Sequence, residues 1–596
     1  MNNETVNRLS QKQRGRIEAA GYSMVDALFK SAGPKARGLY EMGPDPMDIV
    51  ASTNAMITGT GSEYLTGQQI KTLNLGIPQQ EAQFLVETFR EGTEEAIELA
   101  KKLMAGSRFS WWDIESYKQV TDEFKTPISD GQFVTVLGKY PLVREGNKGP
   151  LMVAADYGTF ATDEAPYFID ALTNATVTNF GGYPFQIAYV NTINRLTNGA
   201  LCAPYTPSVL MDKAAQALID IMPFEKEGAK VGFFNAGGDS VSVAMKAAEK
   251  YVNMHKGTNG HERKVVFFKE AYHGNIEGNA GKATSGINES FHETIRSSIE
   301  LEYPNLKEEV TPVLDRIKQE IKADMVSAIL FEPTQGDGGG VSMHQDFFNQ
   351  LVQLSLDEKI PLVCDEVQSG FGRSGKIFDV EFLVDGWKQY RQGQGKAFME
   401  KYPENPPMIM AVAKSITNGA VPGSAVVIPK EYAVLSRAEG LNTYSATPTT
   451  LAAILATTEM LTPELLTMVQ DKRKVFEQEL AHFIDRDWIG DIRGHGMHIF
   501  IPIKGETLVE KKDGSAVTNN QVLQSELLGK YRILTGTVAR DGLRVHLPLN
   551  TPDEVIKAVA RSIGAAVEDL KKGIVSEETK TILTSGVSGL ADRGNK

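Results

Sequence analysis

The sequence has few cysteines and no long apolar runs. Only two cysteines, Cys202 and Cys364, occur among 596 residues, and their spacing suits neither a zinc site nor a disulfide framework. No apolar run approaches the roughly 20 residues of a membrane-spanning helix, and the N-terminus lacks the apolar stretch of a signal peptide. We therefore expect a protein of the reducing cytoplasm that does not act at a membrane.

Basic charge is also scarce. The chain has 62 Lys and Arg residues against 75 Asp and Glu residues, and its net charge of -13 at pH 7 argues against binding to nucleic acid or anionic membranes. The nine histidines do not cluster at metal-ligand spacing, and His495 and His498 in an apolar strand region are better interpreted as core or surface residues. No Gly-x-x-x-x-Gly-Lys-Ser/Thr phosphate loop is present. We expect small-molecule chemistry without a metal.

Length and periodicity predict several domains. Hydrophobic residues make up 41% and charged residues 23% of the chain, values typical of a globular protein, and 596 residues exceed the roughly 250 to 300 of a single core. Helical periodicity at 79–104 predicts a mostly helical N-terminal extension. Short apolar runs alternate with amphipathic helices over 230–428, which predicts an α/β domain with a mainly parallel sheet. The predicted division is an extension (1–130), the N-terminal part of a small domain (131–205), a large domain (206–448) and a C-terminal small α+β domain (449–596).

Three apolar runs in the predicted α/β domain end in chemically selective residues, and open α/β sheets bind ligands beyond these strand ends. KVGFFN is followed by Gly237 and Gly238 at a helix start, which suits a phosphate, although glycines there also serve tight turns. IPLVC ends in Asp365 and Glu366, which suit metal ligation or a cap. MIMAVA ends in Lys414, which desolvation could turn into an imine-forming amine, although a lone lysine there usually reaches solvent.

A phosphate cradle, an acid for a ring nitrogen and a desolvated lysine are together the parts of a pyridoxal-phosphate site. The segment DEVQSGFGRSGK (365–376) closely resembles the signature of class III aminotransferases. NAGGDSVSVAMKAA, EAYHGN, FEPTQGDGG, AKSITNGAVPGSAVV, TYSATPTTLAA and LRVHLPL resemble further family segments in the expected order, over roughly residues 150 to 570. The resemblance implies fold type I and a pyridoxal 5'-phosphate (PLP)-dependent aminotransferase. Such an enzyme moves an amino group from an amino acid or ω-amine to a 2-oxo acid such as 2-oxoglutarate or pyruvate by a ping-pong Schiff-base mechanism.

The resemblance also implies roles around the cofactor ring. Lys414 would form the Schiff base with PLP and then shuttle a proton between the substrate Cα and the cofactor. Asp365 would pair with the pyridine nitrogen and keep it protonated. Tyr272 and Val367 would stack on the two ring faces, where ordinary core packing is the alternative. Gln368 would reach the phenolic oxygen.

Further implied contacts concern the cofactor phosphate and the substrate. Gly237 and Gly238 would present backbone N–H groups to the phosphate, and Thr443 would reach it from the neighbouring subunit, which implies a homodimer or higher homo-oligomer with shared active sites. Arg544 would bind a substrate carboxylate as a bidentate pair. Glu332 would pair with this arginine when no carboxylate is present; a structural ion pair is the alternative interpretation.

Departures from the family pattern leave alternatives open. Gly238 stands where the family usually has a hydroxyl residue, Asp239 replaces a glutamate, and 445–448 reads SATP rather than GGNP. These differences leave a PLP-dependent racemase, epimerase, lyase or decarboxylase as a second hypothesis, and an assembly protein on a decayed enzyme scaffold as a third. The segment 385–406 is predicted to be a polar surface insertion. The N-terminal extension would cover the active-site mouth, extend a dimer interface or bind another partner.

Overall fold

The computed structural model describes residues 152–156, 159–162, 168–180, 209–257, 263–274, 298–440, 442–484, 487–504, 509–510, 516–531, 533–538, 542–551, 553–577 and 579–580. The predicted N-terminal extension, with its helical pattern at 79–104, lies outside these residues. The predicted domain boundaries stay predictions.

A seven-stranded sheet forms the core of the described chain. Its strand order is β4-β12-β11-β10-β7-β5-β6, and the adjacent pairs from β11 to β6 are parallel. Only β12 runs against its neighbours. The continuous apolar runs of the inner strands are buried, as expected where helices cover both faces of a parallel sheet. The strands are β4 (Lys230–Phe234), β5 (Lys264–Phe268), β6 (Ser298–Leu301), β7 (Val326–Phe331), β10 (Leu362–Asp365), β11 (Ile409–Val412) and β12 (Ser424–Ile428).

Smaller sheets lie outside this core. In one of them, three strands near the start of the described chain pair antiparallel, and a strand from the C-terminal part of the chain pairs parallel with the third. In another, three short strands pair antiparallel. The strands are β1 (Met152–Asp156), β2 (Thr159–Thr162), β3 (Phe168–Asp170), β8 (Thr334–Gln335), β9 (Val341–Ser342), β13 (Ile499–Ile501), β14 (Val509–Glu510), β15 (Ala516–Val517), β16 (Ile533–Leu534), β17 (Gly536–Thr537) and β18 (Leu543–Val545).

Helices follow the strands in alternation, as the periodicity predicts. Their bounds are α1 (Thr173–Thr176), α2 (Val209–Ile221), α3 (Gly237–Lys256), α4 (Lys307–Lys322), α5 (Gln345–Glu358), α6 (Val380–Gly393), α7 (Lys396–Lys401), α8 (Pro448–Met460), α9 (Pro463–Leu480), α10 (Asn519–Gly529) and α11 (Asp553–Lys571). Helix α8 has no distinct polar face and is buried along most of its length, which is the pattern of a core helix. Among the described residues no single helix is long and apolar enough to cross a membrane. Two helical segments joined at a bend, Pro448–Met460 and Pro463–Phe483, reach that length and apolar composition only when taken together.

The segment 385–406 lies largely at the surface, as predicted, but it is helical and is anchored by one buried aromatic residue. Helix α6 continues into it to Gly393, and the short helix α7 follows. Trp387 is fully buried, donates its indole N–H to the Pro403 carbonyl at 3.0 Å and packs against the rings of Phe398 and Tyr402. Polar composition alone does not predict this packing, because one large buried aromatic residue is enough to anchor the segment.

Candidate active site

The carboxyl ends of β4, β10 and β11 border one cavity of about 570 Å³. This is the edge at which an open α/β sheet binds ligands. Thr443 and Arg544 are absent from its lining, while the other predicted site residues are present. The lining includes Gly237, Gly238, Tyr272, Glu332, Asp365, Val367, Gln368 and Lys414, and also Asp337 and His273.

Lys414 follows the buried strand β11 directly. Its backbone has φ +49°, a left-handed conformation that costs a non-glycine residue about 1 to 2 kcal/mol. The chain after it is tied down, because Ser415 Oγ donates to the Thr176 carbonyl at 2.8 Å and Asn418 Oδ1 accepts from Phe180 N at 2.8 Å. Burial lowers the pKa of Lys414 to about 8, with Asp337 opposing the shift and Arg544 adding to it. Roughly a fifth of this amine is therefore neutral, and so nucleophilic, at pH 7.4, against about one part in a thousand at the ordinary pKa of a lysine.

Asp365 ends β10 and is held on both of its carboxylate oxygens. Oδ1 accepts from Val367 N at 3.0 Å, and Oδ2 lies 2.7 Å from His273 Nδ1. Because a carboxylate accepts, His273 Nδ1 carries the proton of this hydrogen bond. The sequence does not predict this contact, since 92 positions separate the two residues. The only available signal was that His273 follows a candidate ring-stacking tyrosine.

Glu366, the second acid of the pair, has a structural role. Its oxygens accept from Ser369 Oγ at 2.6 Å and from Val380 N at 2.7 Å, so it ties the loop after β10 to the start of α6. Burial and the nearby Asp379 raise its pKa well above the usual range of a carboxyl group. Within the part of the chain that the structure describes, no group of three His, Cys, Asp or Glu residues is arranged to hold a metal. The sequence leaves metal ligation and capping open for Asp365 and Glu366, and the hydrogen bonds of Glu366 fit capping.

The helix start at Gly237 is a close approach of elements as well as a turn. A Cβ atom at Gly237 would come within 2.9 Å of Val367 Cγ1 and 3.4 Å of Ala413 Cβ. Only glycine therefore lets α3 begin this near to the strand ends on which Asp365 and Lys414 lie. Ala236 N donates to Asp239 Oδ2 at 3.2 Å, so Asp239 caps the helix. The remaining N–H groups of the first turn and the helix dipole suit a phosphate group.

Glu332 and Arg544 do not form the predicted pair. Arg544 Nη2 binds Asp337 Oδ1 at 2.6 Å, whereas the Glu332 oxygens accept from Tyr272 N at 3.0 Å and Gly336 N at 2.9 Å. That pairing prediction is wrong, and Asp337 is the residue that meets the arginine. The chain leaves β7 at Phe331, which keeps Glu332 close to the strand, while Asp337 lies beyond the turn that follows. Burial raises the pKa of Glu332 to about 7.

These residues fit PLP by their chemistry. A partly buried amine of lowered pKa, a carboxylate fixed by a histidine and a helix start kept close by glycine border the same cavity. Tyr272 and Val367 supply an aromatic and an aliphatic side chain, and Gln368 supplies an amide.

The family model for class III aminotransferases matches residues 149–386 and 392–567. The chain belongs to the class III aminotransferases. This membership confirms the predicted family and its cofactor, PLP. The unmatched residues between the two segments lie in the helical insertion around Trp387.

Two aminotransferases and a racemase are among its curated relatives. The mitochondrial acetylornithine aminotransferase of Debaryomyces hansenii is 24% identical, over 58% of this chain and 66% of that protein. Acetylornithine aminotransferase 2 of Caulobacter vibrioides is 29% identical, over 48% and 64%. The chain thus spans slightly less than two thirds of the length of these two relatives. The alanine/serine racemase of Pyrococcus horikoshii is 26% identical, over 72% of this chain and 89% of that protein.

Solved structures of class III aminotransferases have the same fold. The ornithine aminotransferase from Toxoplasma gondii ME49 has a TM-score of 0.61 at 16% identity, with 76% of this chain and 99% of that chain covered. Another structure of the Toxoplasma gondii ornithine aminotransferase, with partial occupancy of PLP at its active site, has a TM-score of 0.60 at 18% identity and covers 78% and 99%. These likenesses confirm the predicted fold type I, α/β class.

Proposed function

We propose that this chain is a PLP-dependent aminotransferase that moves an amino group from an amino acid or ω-amine to a 2-oxo acid, such as 2-oxoglutarate or pyruvate, in two half-reactions. The observation that carries the proposal is that Lys414, Asp365 and the helix start at Gly237 border one cavity. They supply an amine, a carboxylate and backbone N–H donors. PLP, when bound, supplies the electron sink for the electrons released at the substrate Cα.

Lys414 has two tasks in this proposal. Its neutral amine would hold the cofactor covalently, and its lowered pKa of about 8 makes the neutral form accessible without a strong base. With a substrate in the cavity, Lys414 Nζ would serve as the base that moves a proton at the substrate Cα. The turn after Lys414, fixed through Ser415, keeps this amine at the end of β11 throughout.

Asp365 would hold a proton at the pyridine nitrogen of the cofactor, and the hydrogen bond from His273 keeps the carboxylate in one orientation. Arg544 takes the substrate carboxylate. In the described structure Asp337 occupies the guanidinium instead, so a carboxylate substrate must displace Asp337, while an ω-amine can bind with the ion pair intact. One pocket thereby accepts both kinds of substrate.

A shared active site is part of the proposal. Thr443 is exposed and absent from the lining of its own chain's cavity. We infer that it serves the phosphate site of a neighbouring subunit, and that the chain acts as a homodimer or higher homo-oligomer. We also propose the reducing cytoplasm as its compartment, since Cys364 is a free, buried thiol.

Racemisation on the same cofactor is the second candidate. One observation favours it: the racemase of Pyrococcus horikoshii is matched over 89% of its length, against 66% for the Debaryomyces hansenii aminotransferase. Both reactions use a lysine that moves a proton at the substrate Cα. They differ in whether the amino group leaves with the cofactor.

The deciding experiment incubates PLP-loaded protein with one enantiomer of a candidate amino acid, first without and then with an oxo acid. Chiral chromatography and oxo-acid analysis follow the products. A transaminase yields at most one equivalent of oxo acid per site until an acceptor is added, and then turns over. Accumulation of the opposite enantiomer without an acceptor would instead support racemisation, and a protein that binds no PLP would end both proposals.

A further inference from the structure

Two histidines form a buried pair near the candidate active site. His498 and His546 are both fully buried, and their ring centroids lie 4.7 Å apart. They flank the paired strands β13 and β18, in which Ile499 lies opposite Val545. Phe500 packs edge-on against both rings. The two residues therefore share one environment and nearly identical packing.

Both imidazoles are neutral. Burial holds the pKa of His498 well below its usual range, and the nearby guanidinium groups of Arg373 and Arg544 add to this shift. Burial also holds the pKa of His546 well below its usual range, and His498 and the same two guanidinium groups add to that shift. A neutral imidazole carries one N–H donor and one acceptor nitrogen. Each ring therefore has a single proton with which to form a hydrogen bond.

The two histidines differ in what they bind. His498 Nε2 lies 3.3 Å from Oε1 of Gln368, an amide that borders the cavity. Among the described residues, neither ring nitrogen of His546 has a hydrogen-bond partner. The contact to His498 is also the sole hydrogen bond that the structure gives the Gln368 side chain within the described chain.

The Gln368 amide is confined on its other side by backbone. A Cβ atom at Gly336 would collide with Gln368 Oε1, so the amide oxygen packs directly against the Gly336 backbone. An amide can turn over by 180°, which exchanges its acceptor oxygen for its NH₂ donor. An N–H donor next to the amide oxygen fixes the orientation, because in the flipped amide the NH₂ group would face that N–H donor.

We propose that His498 is a positioning residue: its Nε2–H donates to Gln368 Oε1 and thereby turns the amide NH₂ group into the cavity, toward the phenolic oxygen of PLP. The proposal depends on the proposed function only in taking PLP as the ligand. His498 itself touches neither cofactor nor substrate. Its effect passes through Gln368, so the two residues should act as one unit.

The test measures the visible absorbance of PLP-loaded protein as a function of pH. An N–H donor stabilises the anionic form of a phenolic oxygen and lowers its pKa, so loss of the donor moves the absorbance midpoint upward. We expect His498→Phe to raise this midpoint by about one pH unit, the shift that loss of one hydrogen bond produces. His498→Gln returns an N–H donor and should restore most of the wild-type midpoint. His546→Phe is the matched control and should leave the midpoint unchanged.

A double-mutant cycle then isolates the contact. In a Gln368→Leu background, His498→Phe should add nothing to the midpoint shift. A His498→Phe midpoint equal to that of the wild type, an equal shift in His546→Phe, or a full additional shift in the Gln368→Leu background would each overturn the inference. His498→Leu repeats the same arm if the phenylalanine variant does not fold. A wild-type protein that binds no PLP overturns the proposed function instead, and this outcome is distinguishable at the first spectrum.

Discussion

His273 Nδ1 lies 2.7 Å from Asp365 Oδ2, although 92 positions separate the two residues in the chain. The second carboxylate oxygen of Asp365 is held at 3.0 Å by Val367 N. One carboxylate is thus fixed by a side chain from the loop after β5 and by the backbone of its own loop. Because both oxygens have protein donors, the carboxylate is preorganised for a partner in the cavity rather than free to rotate.

We predict that Asp365→Asn and His273→Phe both lower kcat, and that Asp365→Asn has the larger effect. Both act on the carboxylate that holds a proton on the cofactor ring. Asp365→Asn removes the charge that holds a proton on the cofactor ring, and kcat should fall by at least about 100-fold, the loss expected for one preorganised electrostatic contact. His273→Phe removes one hydrogen bond to a carboxylate, and kcat should fall by between about 10- and 100-fold. Steady-state kinetics at saturating PLP measure both. A His273→Phe enzyme with wild-type kcat would contradict the positioning role.

The sequence predicts the strands, the helices that follow them and the residues at the strand ends, because apolar runs and glycine punctuation are local signals. It does not predict which acid forms the ion pair with Arg544. Glu332 and Asp337 lie in one segment, and the turn between them determines which carboxylate reaches the guanidinium. The Asp365 and His273 contact and the His498 and Gln368 contact join distant segments, and each of these histidines taken alone resembles an ordinary core residue. Trp387 was missed for another reason: its contacts are local, but the polar composition of 385–406 does not indicate that one aromatic residue anchors the segment.

Gly237→Ala should weaken cofactor binding. The added Cβ would lie 2.9 Å from Val367 Cγ1, so either Val367 or the start of α3 must shift, and overpacking of this kind costs about 1 to 3 kcal/mol. We expect the Kd for PLP to rise by about tenfold or more. Fluorescence titration of the apo-protein measures it. Gly393→Ala, at a helical glycine with open space around it, is the control and should bind PLP like the wild type; an unchanged Kd for Gly237→Ala would count against the cradle.

Arg544 and Asp337 should have opposite effects on a dicarboxylate substrate. Arg544→Ala removes the guanidinium and should raise KM for 2-oxoglutarate by about 100-fold, the size of a charge-assisted bidentate pair. Turnover of an amine donor without a carboxylate should change much less. Asp337→Ala frees the guanidinium and should lower KM for 2-oxoglutarate, at some cost in stability because a buried charge loses its partner. If both variants raised KM for 2-oxoglutarate, the displacement of Asp337 by substrate would be refuted.

Glu332 should make the apo-protein less stable as the pH rises from about 4.5 to 7. Burial raises the pKa of Glu332 from 4.5 to about 7 in the folded state, so in this window the folded chain holds a proton that the unfolded chain has lost. The contribution is present below pH 4.5 and is lost as the pH passes 7, for a total of about 3 kcal/mol. Urea unfolding at pH 5 and at pH 7.5 measures it.

The matched variant for this prediction is Glu332→Gln. Its amide places an NH₂ group against one of the two backbone donors, Tyr272 N or Gly336 N, but this cost does not depend on pH. The stability difference between wild type and Glu332→Gln should therefore change with pH by the amount that Glu332 contributes. A difference that stays constant from pH 5 to pH 7.5 would show that Glu332 keeps an ordinary pKa.

A peptide map of PLP-loaded protein after reduction with borohydride identifies the amine that holds the cofactor, because reduction fixes the two to each other. We predict one pyridoxyl group per chain, on Lys414, and loss of the wild-type absorbance band in Lys414→Ala. A label on another lysine, or a Lys414→Ala protein that keeps the absorbance of the wild type, would contradict it.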